Sequence, residues 1–408
     1  MSADTEAGAN ERPRLKLPAG VWVLGFVSLL MDSSSELIHS LLPGFLVVVL
    51  GASAFSLGLI EGVAESTALI VKVFSGSLSD YLGQRKTLAV IGYGLSAASK
   101  PLFPIAGSAG MVLGARFIDR IGKGMRGAPR DALVADITPE AVRGAAYGLR
   151  QSLDTVGAFL GPLLAVGLML LWSDDFRAVF WVAVIPAVLA VALLIFGIRE
   201  PQHVASSRRA NPLRASELKR LDAAYWWVVA VGAIFALARF SEAFLILRAE
   251  QTGLGVAWLP VTMVVMNVVY AGTAYPFGRL SDRTSRVRLL AAGLLVLICA
   301  DLVLGAARSP AIVFAGVAIW GLHMGMTQGL LATMVADSSP GDLRGTAFGF
   351  FNLLSGLAML AASVLAGSLW DRLGPSYTFH AGALFCVLAL GLMAFKRPRG
   401  GSVDGTTG

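Results

Sequence analysis

The sequence predicts an all-α membrane protein in which twelve transmembrane helices form two parallel six-helix repeats. Of the 408 residues, 56% are hydrophobic and only 14% are charged, whereas soluble globular proteins carry about 25% charged residues. The mean hydropathy is +0.71, and motifs of the first half recur in the second half. This composition excludes an ordinary soluble enzyme and a disordered protein, because water cannot be the main solvent of such a surface.

Twelve segments are apolar and long enough to cross a bilayer, which requires about 20 residues in a helix. We number these predicted helices span 1 to span 12. In chain order they cover residues 20–50, 54–80, 87–107, 110–135, 143–172, 177–198, 223–249, 255–280, 287–307, 310–336, 344–370 and 376–396.

The segments between and beyond the spans define the domain organisation. The polar ends of the chain predict disordered tails, and a basic segment at the midpoint predicts a cytoplasmic linker between two helical bundles. The resulting divisions are a tail at 1–17, a bundle at 18–198, the linker at 199–222, a bundle at 223–397 and a tail at 398–408.

Lysine and arginine are concentrated on one side of the predicted bundle. The termini and the loops that follow even-numbered spans carry most of them, and the opposite loops carry little beyond Arg177, Arg248, Arg308 and Arg372. Because cytoplasmic loops are enriched in basic residues, both termini are expected in the cytoplasm of a multi-pass protein of the bacterial inner membrane. The net charge of +7 then reflects topology, and we expect no nucleic-acid partner.

Two motifs occur once in each half of the chain. Residues 76–80 (Gly-Ser-Leu-Ser-Asp) recur as 278–282 (Gly-Arg-Leu-Ser-Asp), and residues 135–144 recur as 336–345, where Ala-Asp, Pro and Arg-Gly are kept. Both pairs lie at the predicted cytoplasmic ends of corresponding spans. The two pairs are separated by nearly the same distance along the chain, 202 and 201 residues, which indicates two parallel six-helix repeats, as in one large class of transporters.

These motifs resemble those of the major facilitator superfamily across nearly the whole chain. Residues 76–86 (Gly-Ser-Leu-Ser-Asp-Tyr-Leu-Gly-Gln-Arg-Lys) are similar to the family's loop 2–3 motif, except at Tyr81 and Gln84, where the family usually has basic residues. Residues 157–162 resemble the fifth-helix G-x-x-x-G-P motif of proton antiporters, although Leu164 and Ala165 replace its final glycines. The resemblance implies the fold of that superfamily and alternating access between two sides of a membrane.

The same resemblance implies a gate on the cytoplasmic side. Arg85 or Lys86 is expected to pair with Asp136, and Arg283 or Arg286 with Asp337, so that closure stabilises an outward-facing state. The alternative is that these charges only fix topology. The predicted gating residues are Gly76, Asp80, Arg85, Lys86, Asp136, Arg143, Gly278, Asp282, Arg283, Asp337 and Arg344. Gly157, Gly161 and Pro162 permit close helix contact and a bend in span 5, or serve simple packing.

Ionisable side chains within the spans of the first half share helix faces. Asp32, Glu36 and His39 lie within about 60° of one another on span 1, and Glu61, Glu65 and Lys72 within about 40° on span 2. The equivalent positions of Glu61, Glu65 and Lys72 in the second half are Met263, Asn267 and Ala274. Because charges within a membrane are costly and usually functional, this asymmetry favours proton coupling and polar substrate contact in the first half.

The candidate residues fall into two groups. Carboxyl groups in a low-dielectric interior can exchange protons near neutral pH, and the proton-coupling candidates are Asp32, Glu36, Glu61 and Glu65. The candidates for a substrate-binding charge network are His39, Lys72, Arg116, Asp119, Arg120, Lys123, Arg150, Asp154, Arg239 and Glu242. The alternative is that about half of these charges are structural ion pairs. Lys100 on span 3 is expected at the periphery, with its amine either functional or reaching the membrane surface.

No catalytic, cofactor-binding or metal-binding motif is present in the sequence, so we expect neither an enzyme nor a cofactor or metal. Cys299 and Cys386 both lie in apolar segments. The expected energy source is a proton gradient, and the expected partners are a small-molecule substrate, protons and the lipid bilayer, with the protein a monomer.

The leading functional hypothesis is a proton-coupled secondary transporter that exports a small organic molecule by antiport. One alternative is uptake, by symport, of an anionic metabolite or lipid-like substrate bound by Arg116 and Arg120. Another is a membrane sensor or scaffold that has lost transport, which the two retained gate motifs and short tails disfavour.

Overall fold

The computed structural model describes residues 17–82, 84–139, 142–199, 218–327, 329–340 and 343–395. Most of the predicted tails and of the predicted linker at 199–222 lie outside the described residues. Within the described ranges, the regular elements are helices, and the all-α fold is confirmed.

Six long helices correspond to spans 1 to 6. They are Ala19–His39, Ala54–Leu82, Arg85–Ser99, Ala109–Ile137, Arg143–Leu171 and Phe176–Gly197. Span 1 continues beyond its first helix through the short turn Leu42–Gly44 and the π-helical turn Phe45–Val49. The chain then reverses at Gly51, which has the positive φ of +61° that glycine adopts without steric cost.

Spans 7 to 12 form the second half, and two of them are broken. Span 7 consists of Ala223–Ala238 and Ala243–Gln251, and span 10 consists of Pro310–Thr327 and Leu330–Asp337. The helices of spans 8, 9, 11 and 12 are Val261–Arg283, Arg286–Ala306, Arg344–Leu373 and Pro375–Phe395. The apolar pattern of the sequence predicts a continuous helix for each of these two spans. Gly329 has a φ of +74° where span 10 resumes, and the interruption of span 7 lines a cavity, where irregular backbone is tolerated within a membrane.

Ten helices of the described chain are long and apolar enough to cross a membrane. The helices of spans 3 and 4 are not among them. Arg85–Ser99 has only 15 residues, and Ala109–Ile137 carries many charges, including buried Arg116, Asp119 and Arg120. Span 4 is a membrane helix nonetheless, because its charges face other helices of the protein.

The two halves repeat the same packing. Span 1 packs on spans 5 and 6, and span 4 packs on spans 2 and 3. In the second half, span 7 packs on spans 11 and 12, and span 10 packs on spans 8 and 9. This correspondence confirms the two six-helix repeats that the recurring motifs predicted.

The halves meet most closely where span 2 crosses span 11. A Cβ atom added at Gly58 would collide with the backbone carbonyl of Ser363, and one added at Gly367 would collide with the backbone of Ala54. Asp371 accepts hydrogen bonds from the backbone N–H groups of Ala54 and Phe55, at 3.0 and 2.9 Å. The carboxylate of one half thus caps the first turn of a helix in the other half, where it also complements the helix dipole.

These contacts lie at one end of the bundle. Ala54, Gly58 and Asp371 belong to the ends of spans 2 and 11 that are remote from the basic loops, which is the predicted outer side. Further contacts between the halves on this side join Gly44 to Leu259. The structure is therefore closed on the predicted outer side.

We predict that Gly58→Ala opens this outer seam, because the added methyl group cannot fit against the Ser363 carbonyl. In a background without the two native cysteines, a reporter Ala366→Cys on span 11, only 3% exposed, should then react with a membrane-impermeant thiol reagent.

The matched control is Gly94→Ala, because a Cβ atom at Gly94 meets nothing within 4 Å. The control should leave the reporter protected. Equal labelling in the two glycine variants would contradict the proposed role of Gly58 in outer closure.

Candidate functional site

Two adjoining chambers lie between the halves. The central chamber has a volume of about 280 Å³, and the basic-side chamber, which extends from it towards the predicted cytoplasmic side, has a volume of about 380 Å³. Five residues line both chambers, namely Glu36, Glu65, Lys123, Ala158 and Asn267.

Glu61 is the most extensively paired acid at the central chamber. Arg116 Nη2 donates to both carboxylate oxygens of Glu61, at 2.8 and 2.7 Å. The side chains of Glu61 and Arg116 are only 1% and 2% exposed. Ser241 of the second half donates to Glu61 at 3.4 Å, so this ion pair contacts the interface between the halves. Removing either partner of such a buried ion pair lowers the stability of the protein, because it leaves the other charge buried without compensation.

His39 bridges two acids. Its Nδ1 lies 3.3 Å from Glu36 Oε2, and its Nε2 lies 3.3 Å from Glu61 Oε2. A neutral imidazole carries one N–H, and an ionised carboxylate only accepts hydrogen bonds. Two simultaneous hydrogen bonds therefore require one additional proton, and the bridge of Glu36, His39 and Glu61 is a place where a proton can be held. The helical period predicted that His39 lies on the same face of span 1 as Asp32 and Glu36. In the structure His39 contacts Glu36 of that face, and its second partner is Glu61 on span 2.

A second set of ion pairs links span 4 to spans 2 and 3. Arg120 lies 3.3 Å from Glu65, and Lys100 donates to Asp119 at 3.0 Å. Lys100 is 1% exposed and also donates to Ser35 at 2.9 Å. Its predicted position at the periphery was therefore wrong. No spacing in the sequence indicated this pair, because Lys100 and Asp119 lie on different helices.

A cluster of arginines surrounds Asp154 on the side of the basic loops. Arg130 lies 3.6 Å and Arg150 lies 3.8 Å from Asp154, and Asp131 is a second partner of both arginines. Arg126 donates to Ser96 and lies over the ring of Tyr93. Arg126 and Asp131 were not among the residues predicted from the sequence. At about 100° per residue, Arg116, Arg120, Lys123 and Arg130 lie on one face of span 4, and this basic face was the signal in the sequence for a charged cluster here.

Two lysines of the cavity have no ionic partner. Lys72 and Lys123 are exposed within the basic-side chamber, and neither has a hydrogen bond or an ion pair within 4 Å in the described part of the chain. They are the cations that remain available to a bound molecule. Lys72 shares the predicted face with Glu61 and Glu65 but pairs with neither.

The second half contributes a less charged wall. Arg239 and Glu242, 4.0 Å apart, lie in the interruption of span 7, and Met263 and Asn267 lie on span 8. Tyr270 lines the basic-side chamber. Trp320 of span 10 is fully buried and packs against Phe240, so it does not line either chamber.

The predicted gating residues form contacts within each half. Of the two predicted partners of Asp136, Arg85 forms the ion pair, at 2.5 Å. The amine of Lys86 donates to the carbonyl of Ile195. Arg286, not Arg283, contacts Asp337. Arg143 donates to the carbonyl of Ala135 at 3.4 Å.

A Cβ atom at Gly76 would lie 3.5 Å from Ala128, and one at Gly278 would meet nothing within 4 Å. The side chains of Asp80, Asp282 and Arg344 lie outside the described part of the chain. Their gating role stays a prediction.

Gly157, Gly161 and Pro162 lie in the long helix of span 5, and both glycines contact the backbone of span 1. In the described ranges, no three His, Cys, Asp or Glu side chains come together in a way that could hold a metal ion. The cavity is thus a polar chamber that can bind a small molecule and protons.

We predict that Arg116→Met lowers the thermal unfolding temperature of the purified protein strongly, since it leaves the buried Glu61 carboxylate without its partner. The expected cost is about 3–5 kcal/mol. The matched control is Lys72→Met, which removes an exposed and unpaired charge and should change stability by about 0.5 kcal/mol or less. Equal shifts in the two variants would show that the Glu61 pair is not structural.

Comparison with known proteins identifies the family. The profile of the Major Facilitator Superfamily matches residues 21–363 and 250–406. An uncharacterized MFS-type transporter of Methanocaldococcus jannaschii is 32% identical over 393 residues, which cover 95% of this chain and 96% of that protein. The multidrug resistance protein MdtH of Edwardsiella ictaluri is 25% identical, over 79% of this chain and 78% of its own.

Solved structures show the same fold. The crystal structure of a POT family transporter in complex with 5-aminolevulinic acid aligns with a TM-score of 0.78 and 14% identity, over 93% of this chain and 96% of that chain. Since the family profile and the archaeal relative both extend over nearly the whole sequence, the protein belongs to the Major Facilitator Superfamily and is a multi-pass membrane transporter.

Proposed function

We propose that the protein is a proton-coupled antiporter of the bacterial inner membrane, which uses the proton gradient to export a small organic molecule. The observation that carries this proposal is the pair of adjoining chambers between the halves, whose first-half wall is formed by acids and bases on spans 1, 2, 4 and 5. Such a wall can bind a polar molecule and exchange protons in one place.

The conformation supports alternating access. The outer side is closed by spans 2 and 11 through Gly58, Gly367 and Asp371. The cavity extends to the opposite, predicted cytoplasmic side, where Lys72, Arg130 and Gln151 line it. This arrangement suits the loading of a cytoplasmic substrate, which is the first step of export.

The bridge of Glu36, His39 and Glu61 supports proton coupling. Because Ser241 of the second half also contacts Glu61, a change in the hydrogen bonds of Glu61 alters a contact between the halves. A substrate bound beside Glu36 and Glu65 in the central chamber would alter the charge balance that holds this bridge. The direction of transport is proposed from the open side of the cavity, together with the similarity to a multidrug resistance protein.

A second candidate function is the uptake of an anionic substrate. Lys72 and Lys123 favour it, because they are unpaired cations within the basic-side chamber. Arg116 and Arg120 contribute less to this alternative than the sequence suggested, since Glu61 and Glu65 already neutralise them.

The deciding experiment is transport in proteoliposomes. Compounds that raise the unfolding temperature of the purified protein would first be selected from a library of metabolites and drugs. Antiport predicts that a selected compound accumulates when the vesicle lumen is acidic, whereas symport predicts accumulation when the external medium is acidic. A flux that is the same with an acidic lumen, with an acidic external medium and without a pH gradient would contradict proton coupling.

We predict that Glu36→Gln lowers the initial rate of gradient-driven flux at least about tenfold, which corresponds to about 1.4 kcal/mol, because glutamine cannot maintain the charged hydrogen bond to His39. The matched control is Glu250→Gln near the outer end of span 7, which lines neither chamber. An unchanged rate for Glu36→Gln would show that the bridge of Glu36, His39 and Glu61 takes no part in the transport cycle.

A further inference from the structure

We propose that Lys72 and Lys123, hereafter the lysine pair, bind the head group of the transported molecule, and that this molecule is an organic anion with a doubly charged head group, a phosphate monoester or a dicarboxylate. This inference rests on the proposed function and names the class of its substrate. The charge of the substrate does not depend on the direction of transport.

The acids of the central chamber are already neutralised by basic residues of the protein. Each acid that lines this chamber has one basic partner within 4.0 Å, and the four pairs are Glu61 with Arg116, Glu65 with Arg120, Glu36 with His39 and Glu242 with Arg239. His39 counts as a cation when the bridge carries the additional proton that its two hydrogen bonds require.

The acids of the basic-side chamber are matched in the same way. Besides Glu36 and Glu65, three aspartates line this chamber, and their partners are Arg126 for Asp32 at 3.9 Å, Arg130 for Asp131 at 3.2 Å and Arg150 for Asp154 at 3.8 Å. Every acid of the two chambers thus has its own basic partner, and Lys72 and Lys123 are left over in the described part of the chain. With the bridge protonated, the two chambers and their ion-pair partners carry two positive charges in excess.

The lysine pair lies too deep in the bundle to serve topology alone. At a rise of about 1.5 Å per residue, Lys72 lies about 15 Å from Leu82 at the cytoplasmic end of its helix, and Lys123 lies about 21 Å from Ile137. Basic residues that follow the positive-inside rule lie in loops or near the ends of spans. An excess charge within a membrane protein is costly and usually functional, and a bound anion would neutralise it.

The packing of spans 2 and 4 brings the two lysines together. A Cβ atom at Gly124 would lie 2.7 Å from the side chain of Val71. Ser75 donates to the carbonyl of Gly124 at 2.9 Å. Since Gly124 follows Lys123 and Val71 precedes Lys72 in the chain, the two lysines flank the direct contact between these helices.

The side chain of Lys72 extends along span 4. Its Cε atom lies 4.0 Å from the position of a Cβ atom at Gly127, which is one turn beyond Lys123 on the same helix face. Cβ atoms one turn apart on a helix are about 5–6 Å from each other. An anion that accepts a hydrogen bond of about 2.7–2.9 Å from each ammonium group spans such a separation. One phosphate group, or the carboxylates of one small molecule, can therefore contact both lysines.

The opposite wall offers hydrogen bonds without charge. Asn267 of span 8 lines both chambers, and its amide makes no hydrogen bond within the described ranges. Tyr270 of the same span also lines the basic-side chamber. An anion held by the lysine pair of the first half would thus meet polar groups of the second half. The volume of this chamber, about 380 Å³, falls within the range of about 300–1,000 Å³ that is usual for small-molecule sites.

Isothermal titration calorimetry of the purified full-length protein at constant ionic strength tests this inference. Inorganic phosphate and succinate are the anionic probes, and choline is the cationic control. The wild type should bind an anion and not choline, and the anion that binds more tightly identifies the head group as a phosphate ester or a dicarboxylate. Binding of neither anion, or binding of choline instead, would overturn the inference.

Variants of the lysine pair locate the bound anion. Lys72→Gln and Lys123→Gln should each raise its Kd at least about tenfold, because each loses a hydrogen bond from a charged donor. The matched control is Lys219→Gln, which removes a lysine that lines neither chamber and should leave the Kd unchanged. Equal Kd values in the three variants would overturn the site.

Thermal unfolding without any anion distinguishes binding from a structural role. Because Lys72→Gln and Lys123→Gln each remove an excess positive charge, neither variant should unfold at a lower temperature than the wild type. Unfolding of both variants at a clearly lower temperature would show that the lysines stabilise the fold, which would overturn the inference.

Transport measurements separate this inference from the proposed function. Flux of an anion that requires both lysines but is the same with and without a pH gradient would refute the antiport and leave the anion site standing. Gradient-driven flux of a cationic or neutral compound that is unchanged in Lys72→Gln and Lys123→Gln would leave the antiport standing and refute the role of the lysine pair. We expect gradient-driven flux of an anionic compound that both variants abolish.

Discussion

The structure depends on one constraint, which is that a charge within a membrane must either meet a partner inside the protein or face a cavity. Glu61 and Arg116, and Lys100 and Asp119, meet this constraint between neighbouring helices of the first half. Their pairing explains how the helix Ala109–Ile137 can cross a membrane with so many charged residues. Once these groups are paired, Lys72 and Lys123 of the basic-side chamber remain as cations that can respond to a ligand.

A second constraint is the close approach of helix backbones, and glycine satisfies it at two places with different consequences. At the crossing of spans 2 and 11, Gly58 and Gly367 let the halves touch and close the outer side. Between spans 1 and 5, Gly157 and Gly161 fix the contact within one half, beside Asp32. The first contact must break for the transporter to change its open side, whereas the second lies within a bundle that can move as a unit.

The two halves share a scaffold but have different interiors. In the first half the positions that face the cavity carry acids and bases, whereas the second half contains a buried aromatic cluster in which Phe240 packs against Phe244, Trp320 and Phe379. The polar contribution of the second half is concentrated where span 7 is interrupted, at Arg239, Ser241 and Glu242. The two halves thus share their helix packing, whereas the charged side chains of the site are concentrated in the first half.

The sequence by itself determined the twelve spans, the two repeats and the helix faces that carry Asp32, Glu36, Glu61 and Glu65, because composition, recurrence and the helical period are all properties of the linear chain. It also singled out Gly157 and Gly161 without revealing what they touch. Only the tertiary structure decided which groups became partners: that Lys100 reaches Asp119, that His39 bridges Glu36 and Glu61, and that Arg85 rather than Lys86 holds Asp136. The helical period fixes the face on which a side chain lies, but a partner on another helix depends on the rotation and relative height of both helices, which are set by the packing of the whole bundle.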